Sequence, residues 1–293
     1  MKRHRLADAA QFRAQWDHKT AANARWREKL ANGSGSPQEC LECLVDNSLA
    51  LAGAALILEL GDAVVREQIA GAVEAARRWL TASSRSSAGR RSFTVEATLG
   101  LSDRTTTFSR KRAAPVAPTG PTGWKDGWSV EVFTTVLDTL IAFGPVGRVR
   151  EAAAVDEGCY RSPELVAPEL VADDAACFAA VRAEKAWVLA DDKTARAACR
   201  ETIATATQPI LRTSATAMVG LMRGDAGAFR AALAETVKAH HEMFARMPDA
   251  SIGAFTLRGL MLCRMARSRG INVRGRTYLP VRFLASDLIR PLR

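Results

Sequence analysis

Long hydrophobic runs are missing from this 293-residue chain. The longest, Leu49 to Leu58, is bounded by Asn47, Ser48 and Glu59. It is too short to cross a bilayer, which takes about 20 apolar residues, and it predicts a buried core helix instead. Cysteine is also scarce. Six residues, Cys40, Cys43, Cys159, Cys177, Cys199 and Cys263, sit mostly in apolar helical contexts, which excludes a disulfide-stapled scaffold and fits a reducing compartment. The basic start Met1-Lys-Arg-His-Arg5 is followed at once by Asp8, Gln11 and Arg13 rather than by an apolar core. The expectation is therefore no secretory signal, no membrane contact and a cytoplasmic protein. Catalytic signatures are absent too. The sequence holds no Gly-x-Ser-x-Gly elbow, no phosphate loop ending in Gly-Lys-Ser/Thr, no His-Glu-x-x-His and no dinucleotide-binding glycine fingerprint, so no enzyme class, cofactor or catalytic residue is expected.

What remains is an ordinary globular composition, 48% hydrophobic and 25% charged, long enough for a large core. Helical periodicity dominates. Phe12 and Trp16, then Trp26 and Leu30, recur at four residues in a first helix, and Ala31–Ser36 reads as a linker. These define an N-terminal helix and linker over residues 1–35, ahead of a helical domain over 36–293. Ser36-Pro37-Gln38-Glu39 has the form of a capping box with Pro at the first helical position. The helix it opens is expected to end at Gly61, and Asp62 to start a third carrying Val65, Ile69, Val73 and Trp79. Between 84 and 123 the period fades into Ser, Thr, Arg, Gly and Pro. An irregular insertion is expected there, with Phe93, Val95, Ala97 and Leu99 alternating as one short strand. Helices resume at Trp128, with others near 173–190, 192–208, 210–223, 225–246 and 251–268, for six to eight in all.

Few side chains converge on chemistry. Cys40-Leu-Glu-Cys43 lacks a second ligand pair for zinc and a preceding strand for dithiol exchange, so core or partly exposed thiols fit it better. His240 falls on the face of Phe229, Leu233, Val237 and Phe244, as a hydrogen-bonded core histidine. His241, about 100° away around the helix, is expected at the solvated surface. Trp16, Trp26, Trp79, Trp124, Trp128 and Trp187 mostly sit at helical spacing from aliphatic residues. They read as core rather than as base-stacking platforms.

The formal net charge of +10 is unevenly spread. From Thr256 to the C-terminus nine arginines face one aspartate, whereas Glu151 to Asp192 carries ten acids against three bases. Either region could steer a partner of opposite sign. The acidic connector offers Glu151, Asp156, Glu157, Glu164, Glu169, Asp173 and Asp174. The basic end offers Arg258, Arg264, Arg267, Arg269, Arg274 and Arg276, of which those of the last helix (Arg258, Arg264, Arg267 and Arg269) read as a solvated face.

The C-terminal third, Asp225-Ala-Gly-Ala-Phe229 through Val237-Lys-Ala-His240-His241, then Gly253, then Leu260 to Gly270-Ile-Asn-Val273 and Tyr278-Leu-Pro280, resembles the immunity protein 49 family of bacterial polymorphic toxin systems. The likeness spans roughly residues 40–285, with Gly127-Trp128 opening a helix and Asp156–Pro168 as the acidic connector. It implies an all-α protein of packed antiparallel hairpins, with tetratricopeptide-like stacking as an option although no 34-residue period is visible. It also implies binding and neutralisation of a cognate toxin or effector in the producing cell, without catalysis. Immunity proteins against nucleases are often acidic, and this chain is basic. Two arrangements stay open: the acidic connector meets a basic toxin, or the arginines grip an acidic one. The alternative reading is a helical nucleic-acid-binding protein using the arginine-rich end.

Overall fold

The computed structural model describes residues 9–99, 130–157, 171–247 and 250–290. Among these the fold is all-α: ten α-helices and two short 3-10 turns, with no strand. The helices are α1 (Ala9–Asn32), α2 (Pro37–Ile57), α3 (Asp62–Leu99), α4 (Val130–Phe143), α5 (Val146–Ala153), α6 (Val171–Val188), α7 (Asp192–Thr205), α8 (Pro209–Arg223), α9 (Ala226–Phe244) and α10 (Leu257–Arg267).

The hairpins are set by their ends. Ser36 caps α2 through its hydroxyl, which accepts from the Glu39 N–H at 3.5 Å. The α6–α7 and α8–α9 turns share one device. The left-handed Ala190 (φ 67°) or Gly224 (φ 71°) ends the first helix, and the next residue, Asp191 or Asp225, returns its N–H to the Ala186 or Gly220 carbonyl. That same aspartate then caps the following helix, accepting from Thr194 N at 3.0 Å or Ala228 N at 2.8 Å. One residue thus closes one helix and opens the next, which forces the tight reversal.

Two expectations are corrected. Residue 61 does not end α2. The helix stops at Ile57, and Glu59 takes the left-handed conformation (φ 54°) while Leu60 N–H closes on the Ala55 carbonyl. Nor is 84–99 irregular or a strand: Phe93, Val95, Ala97 and Leu99 belong to α3. A helix already nucleated by the packed Val65–Trp79 stretch propagates at little cost per residue, and no proline interrupts it before its end at Leu99. The rest of the expected irregular segment, 100–123, lies outside the described residues, as do Trp124 and Trp128.

The core forms where successive hairpins meet. α1 packs on α2, α2 on α3, and α6 through α9 pack in sequence, while α4 joins the two groups by touching both α3 and α6. Trp79 of α3 and Phe133 of α4 are fully buried with ring centroids 6.3 Å apart. Trp187 is fully buried in α6, and Trp16 and Trp26 pack half-buried on the core. By length and composition α2 could cross a membrane, but 72% of its apolar window is buried inside the protein. It is a core helix. α10 returns from the far end of the chain to pack on α4, so the packing is not only between chain neighbours. Gly53 lets Ser251 approach α2: a Cβ there would stand 2.0 Å from the Ser251 carbonyl oxygen.

Candidate functional site

The arginine-rich end turns mostly inward. Arg258 and Arg264 are buried in α10, not solvated. Arg258 lies between two buried carboxylates, with Nη1 donating to Glu184 Oε1 at 2.9 Å and Nε 3.4 Å from Asp138 Oδ2. Burial opposes its charge, but Asp138 and Glu184 outweigh that and hold it protonated. Desolvation raises the Asp138 carboxyl. Desolvation, reinforced by Asp138, pushes Glu184 up to about 8. Two carboxyl groups thus share one guanidinium and retain one proton at neutral pH. Asp138 Oδ1 and Glu184 Oε2 have no hydrogen-bond donor among the described residues, and each carboxyl group shifts the other's titration. The cluster is electrically neutral, which is what so deep a burial requires.

Arg264 ties the fold together differently. Its Nη1 donates to the Leu140, Ile141 and Gly144 carbonyls at 3.2, 2.9 and 2.6 Å, closing the C-terminal end of α4. Its Nη2 pairs with Asp287 Oδ1 at 2.7 Å, and Asp287 Oδ2 accepts from Val146 N at the start of α5. Arg267 donates to the Ala285 carbonyl. Arg269 joins Arg290 on Asp192. Burial works against the Asp192 charge, and Arg290 and Arg269 overcome it and hold the carboxyl below its usual range. Among the described residues, Arg274 and Arg276 are the two of the six arginines expected on a basic surface that are exposed without such ties.

Among the acidic candidates with described side chains, two are engaged in ion pairs. Glu151 pairs with Arg148 at 2.6 Å and Glu157 with Arg182 at 2.8 Å. Asp156 is exposed beside them, and Asp173 and Asp174 fall in the first turn of α6. Glu164 and Glu169 lie outside the described residues.

The exposed arginines belong to a groove that no motif announced. One wall is the α9 stripe Arg230, Leu233, Ala234 and Val237, spaced so that all share a face. The opposite wall is the segment Asn272 to Leu279, and the space between measures about 600 Å³. The segment is held in place at both ends. Gly270, at φ 72°, stops α10 and lets the Ile271 N–H return to the Ala266 carbonyl. Downstream, Tyr278 adopts φ 70°, its carbonyl accepts from Thr256 N at 2.9 Å, and its hydroxyl shares a 3.1 Å hydrogen bond with His241 Nδ1. His241 is therefore half-buried against Tyr278, not freely solvated. His240 is buried, as its place on the apolar face requires, with its Nε2–H donating to the Gly253 carbonyl at 3.1 Å. It also lies 4.6 Å from the Phe244 ring and 5.8 Å from Tyr278, centroid to centroid. The Tyr278-Leu-Pro280 triplet thus works as a clamp.

Leu233, Val237 and Leu279 make the groove apolar underneath, and Arg230, Arg274 and Arg276 stand exposed around it. Among the described residues no carboxylate lines it and none of the three arginines has an ion-pair partner. Its chemistry is that of recognition: apolar contact below, anion capture above.

The thiols offer less. Cys40, Cys177, Cys199 and Cys263 are buried and Cys43 is half-buried. Burial pushes Cys43 up to about 11 and Cys199 and Cys263 to about 12. Among the described residues no three His, Cys, Asp or Glu side chains cluster for a metal.

No family model, curated protein or solved structure matches the chain. Sequence reasoning missed the groove stripe and the Asp138–Glu184 pair. Asp138 did carry a signal, as the lone charge inside Val136-Leu-Asp-Thr-Leu-Ile141. An acid in so apolar a run must be paired or protonated.

Proposed function

We propose that this chain is an immunity protein that binds a cognate bacterial toxin or effector in the cytoplasm of the producing cell and blocks its active site or its access to substrate. The observation that carries the binding part is the groove between α9 and the 272–279 segment, with apolar side chains beneath exposed arginines that nothing in the described residues neutralises. The toxin part is supported by the resemblance of the ordered C-terminal features to the immunity protein 49 family. Among the described residues Glu151 and Glu157 are tied to Arg148 and Arg182, whereas Arg230, Arg274 and Arg276 have no acid partner, which supports the basic side as the contact surface.

The same three arginines keep nucleic acid as the second reading. It is the weaker one, because Arg258, Arg264, Arg269, Arg282 and Arg290 are engaged by Asp138, Glu184, Asp287, Asp192 and Asp62. A phosphate-binding face needs its cations free.

Co-expression with the reading frame that neighbours this gene, in cells that its product kills, is the direct test. Growth should be restored when this chain is present. Equal killing with and without it would reject the proposal.

A further inference from the structure

We infer that the groove receives an acidic, amphipathic segment of the partner protein, laid along residues 272–275 with its apolar side chains against Leu233 and Val237 and its carboxylates on Arg230, Arg274 and Arg276. The inference rests on the binding reading above and specifies its partner.

Three observations define the occupant. First, charge: three arginines surround the groove, no carboxylate lines it, and among the described residues none of the three is paired. Guanidinium groups bind carboxylates by paired, planar hydrogen bonds, so an acidic chain fits where a neutral one would leave the cations unmatched. Second, backbone: Asn272, Val273, Arg274 and Gly275 lie outside any helix and make no main-chain hydrogen bond within the described residues. Four consecutive residues with free N–H and C=O groups offer a partner chain a row of main-chain bonds, the mode by which extended peptides add to an exposed edge. Third, size: about 600 Å³ falls within the range of about 300–1,000 Å³ typical of ligand pockets, room for a few side chains but not for a folded domain. The wall is also braced, by the Tyr278–His241 bond and the Thr256–Tyr278 backbone bond, so little order has to be imposed when a segment docks.

Nucleic acid would satisfy the arginines but not the apolar side or the free backbone. It is an outcome of the test.

The probes are synthetic peptides alternating Glu with Leu or Val, their Gln-for-Glu counterparts, and a single-stranded DNA oligonucleotide, each titrated by fluorescence anisotropy into the full chain at low salt. Acidic peptides should bind, and the Gln series should bind about tenfold more weakly or worse. Two variants change the groove without touching the core. Arg274→Glu with Arg276→Glu reverses its charge, and Ala234→Trp, at an exposed position of α9, fills it. Both should weaken peptide binding about tenfold or more while leaving the circular dichroism spectrum unchanged. The inference is overturned if no acidic peptide binds, if both variants bind as the wild type does, or if the oligonucleotide binds more tightly than every peptide. The two readings fail separately. Peptide binding by a chain that does not protect cells would remove the immunity function and leave the groove. Full protection by the Arg274→Glu/Arg276→Glu variant would remove the groove and leave the immunity function.

Discussion

Replacing Glu184 by glutamine should abolish a pH dependence of stability that the buried cluster imposes. In the folded protein desolvation and Asp138 push Glu184 up to about 8, against an ordinary glutamate value of 4.5. Between those values the unfolded chain has released the proton that the folded chain still holds, so unfolding is accompanied by proton loss and stability falls as pH rises. One pKa unit corresponds to about 1.4 kcal/mol. The slope from this group should therefore approach about 1.4 kcal/mol per pH unit through the middle of the window and flatten above pH 8, where the folded state ionises too. The introduced amide would mimic the protonated acid, with its carbonyl accepting from Arg258 and its NH2 donating to Asp138, and would not titrate. The difference in unfolding free energy between wild type and Glu184→Gln, measured by urea denaturation from about pH 5 to pH 8.5, isolates the coupled Asp138–Glu184 pair, because carboxylates remote from it are common to both proteins. The wild type should lose about 4 kcal/mol relative to the variant across that range. Parallel pH profiles would refute the shared-proton cluster.

Other consequences follow from the same packing. Arg264→Met strands the Ile141 and Gly144 carbonyls, removes the second donor to the Leu140 carbonyl, which keeps the Gly144 N–H, and leaves Asp287 without its cation. It should cost about 3–5 kcal/mol in urea unfolding, and a loss below about 1 kcal/mol would contradict the assigned role. Gly53→Ala places a methyl 2.0 Å from the Ser251 carbonyl oxygen; the turn must shift, and a loss of about 1–3 kcal/mol is expected on thermal melting, an unchanged midpoint arguing against the close approach. With Cys199 and Cys263 buried and pushed to about 12, native protein at pH 8 should leave both unlabelled by a maleimide while unfolded protein labels fully. Rapid native labelling, mapped by mass spectrometry, would show that these thiols are reachable.

Much of the helix plan can be read from local chemistry. Ser36 announces a helix start because capping depends on one or two side chains close in sequence, and Asp191, Asp225 and Gly270 end or open helices by the same local chemistry. His240 is legible because the four- and seven-residue spacing of Phe229, Leu233, Val237 and Phe244 fixes its face. The extension of α3 to Leu99 is not: seven residues of polar and apolar alternation satisfy a strand as well as a helix, and only the upstream packing decides. The inward turn of the arginines is hidden for a different reason. Arg258 meets Glu184 across 74 residues of chain, and a basic helix reads as solvated until its acids are found in the interior. The groove is likewise a product of tertiary folding, since α9 supplies one wall and the clamp at Tyr278 places the other. His241 departs from its expected solvated place because its partner, that same tyrosine, lies 37 residues further on.

The most direct measurement is calorimetric titration of the purified full chain with the protein encoded by the reading frame that neighbours its gene, for wild type and for Arg274→Glu/Arg276→Glu. Saturable one-to-one binding by the wild type, weakened about tenfold or more by reversing the two groove charges, is the expected result. No heat of binding to the wild type, or an affinity that ignores the reversal, would contradict a protein that neutralises its partner through the arginine-rimmed groove.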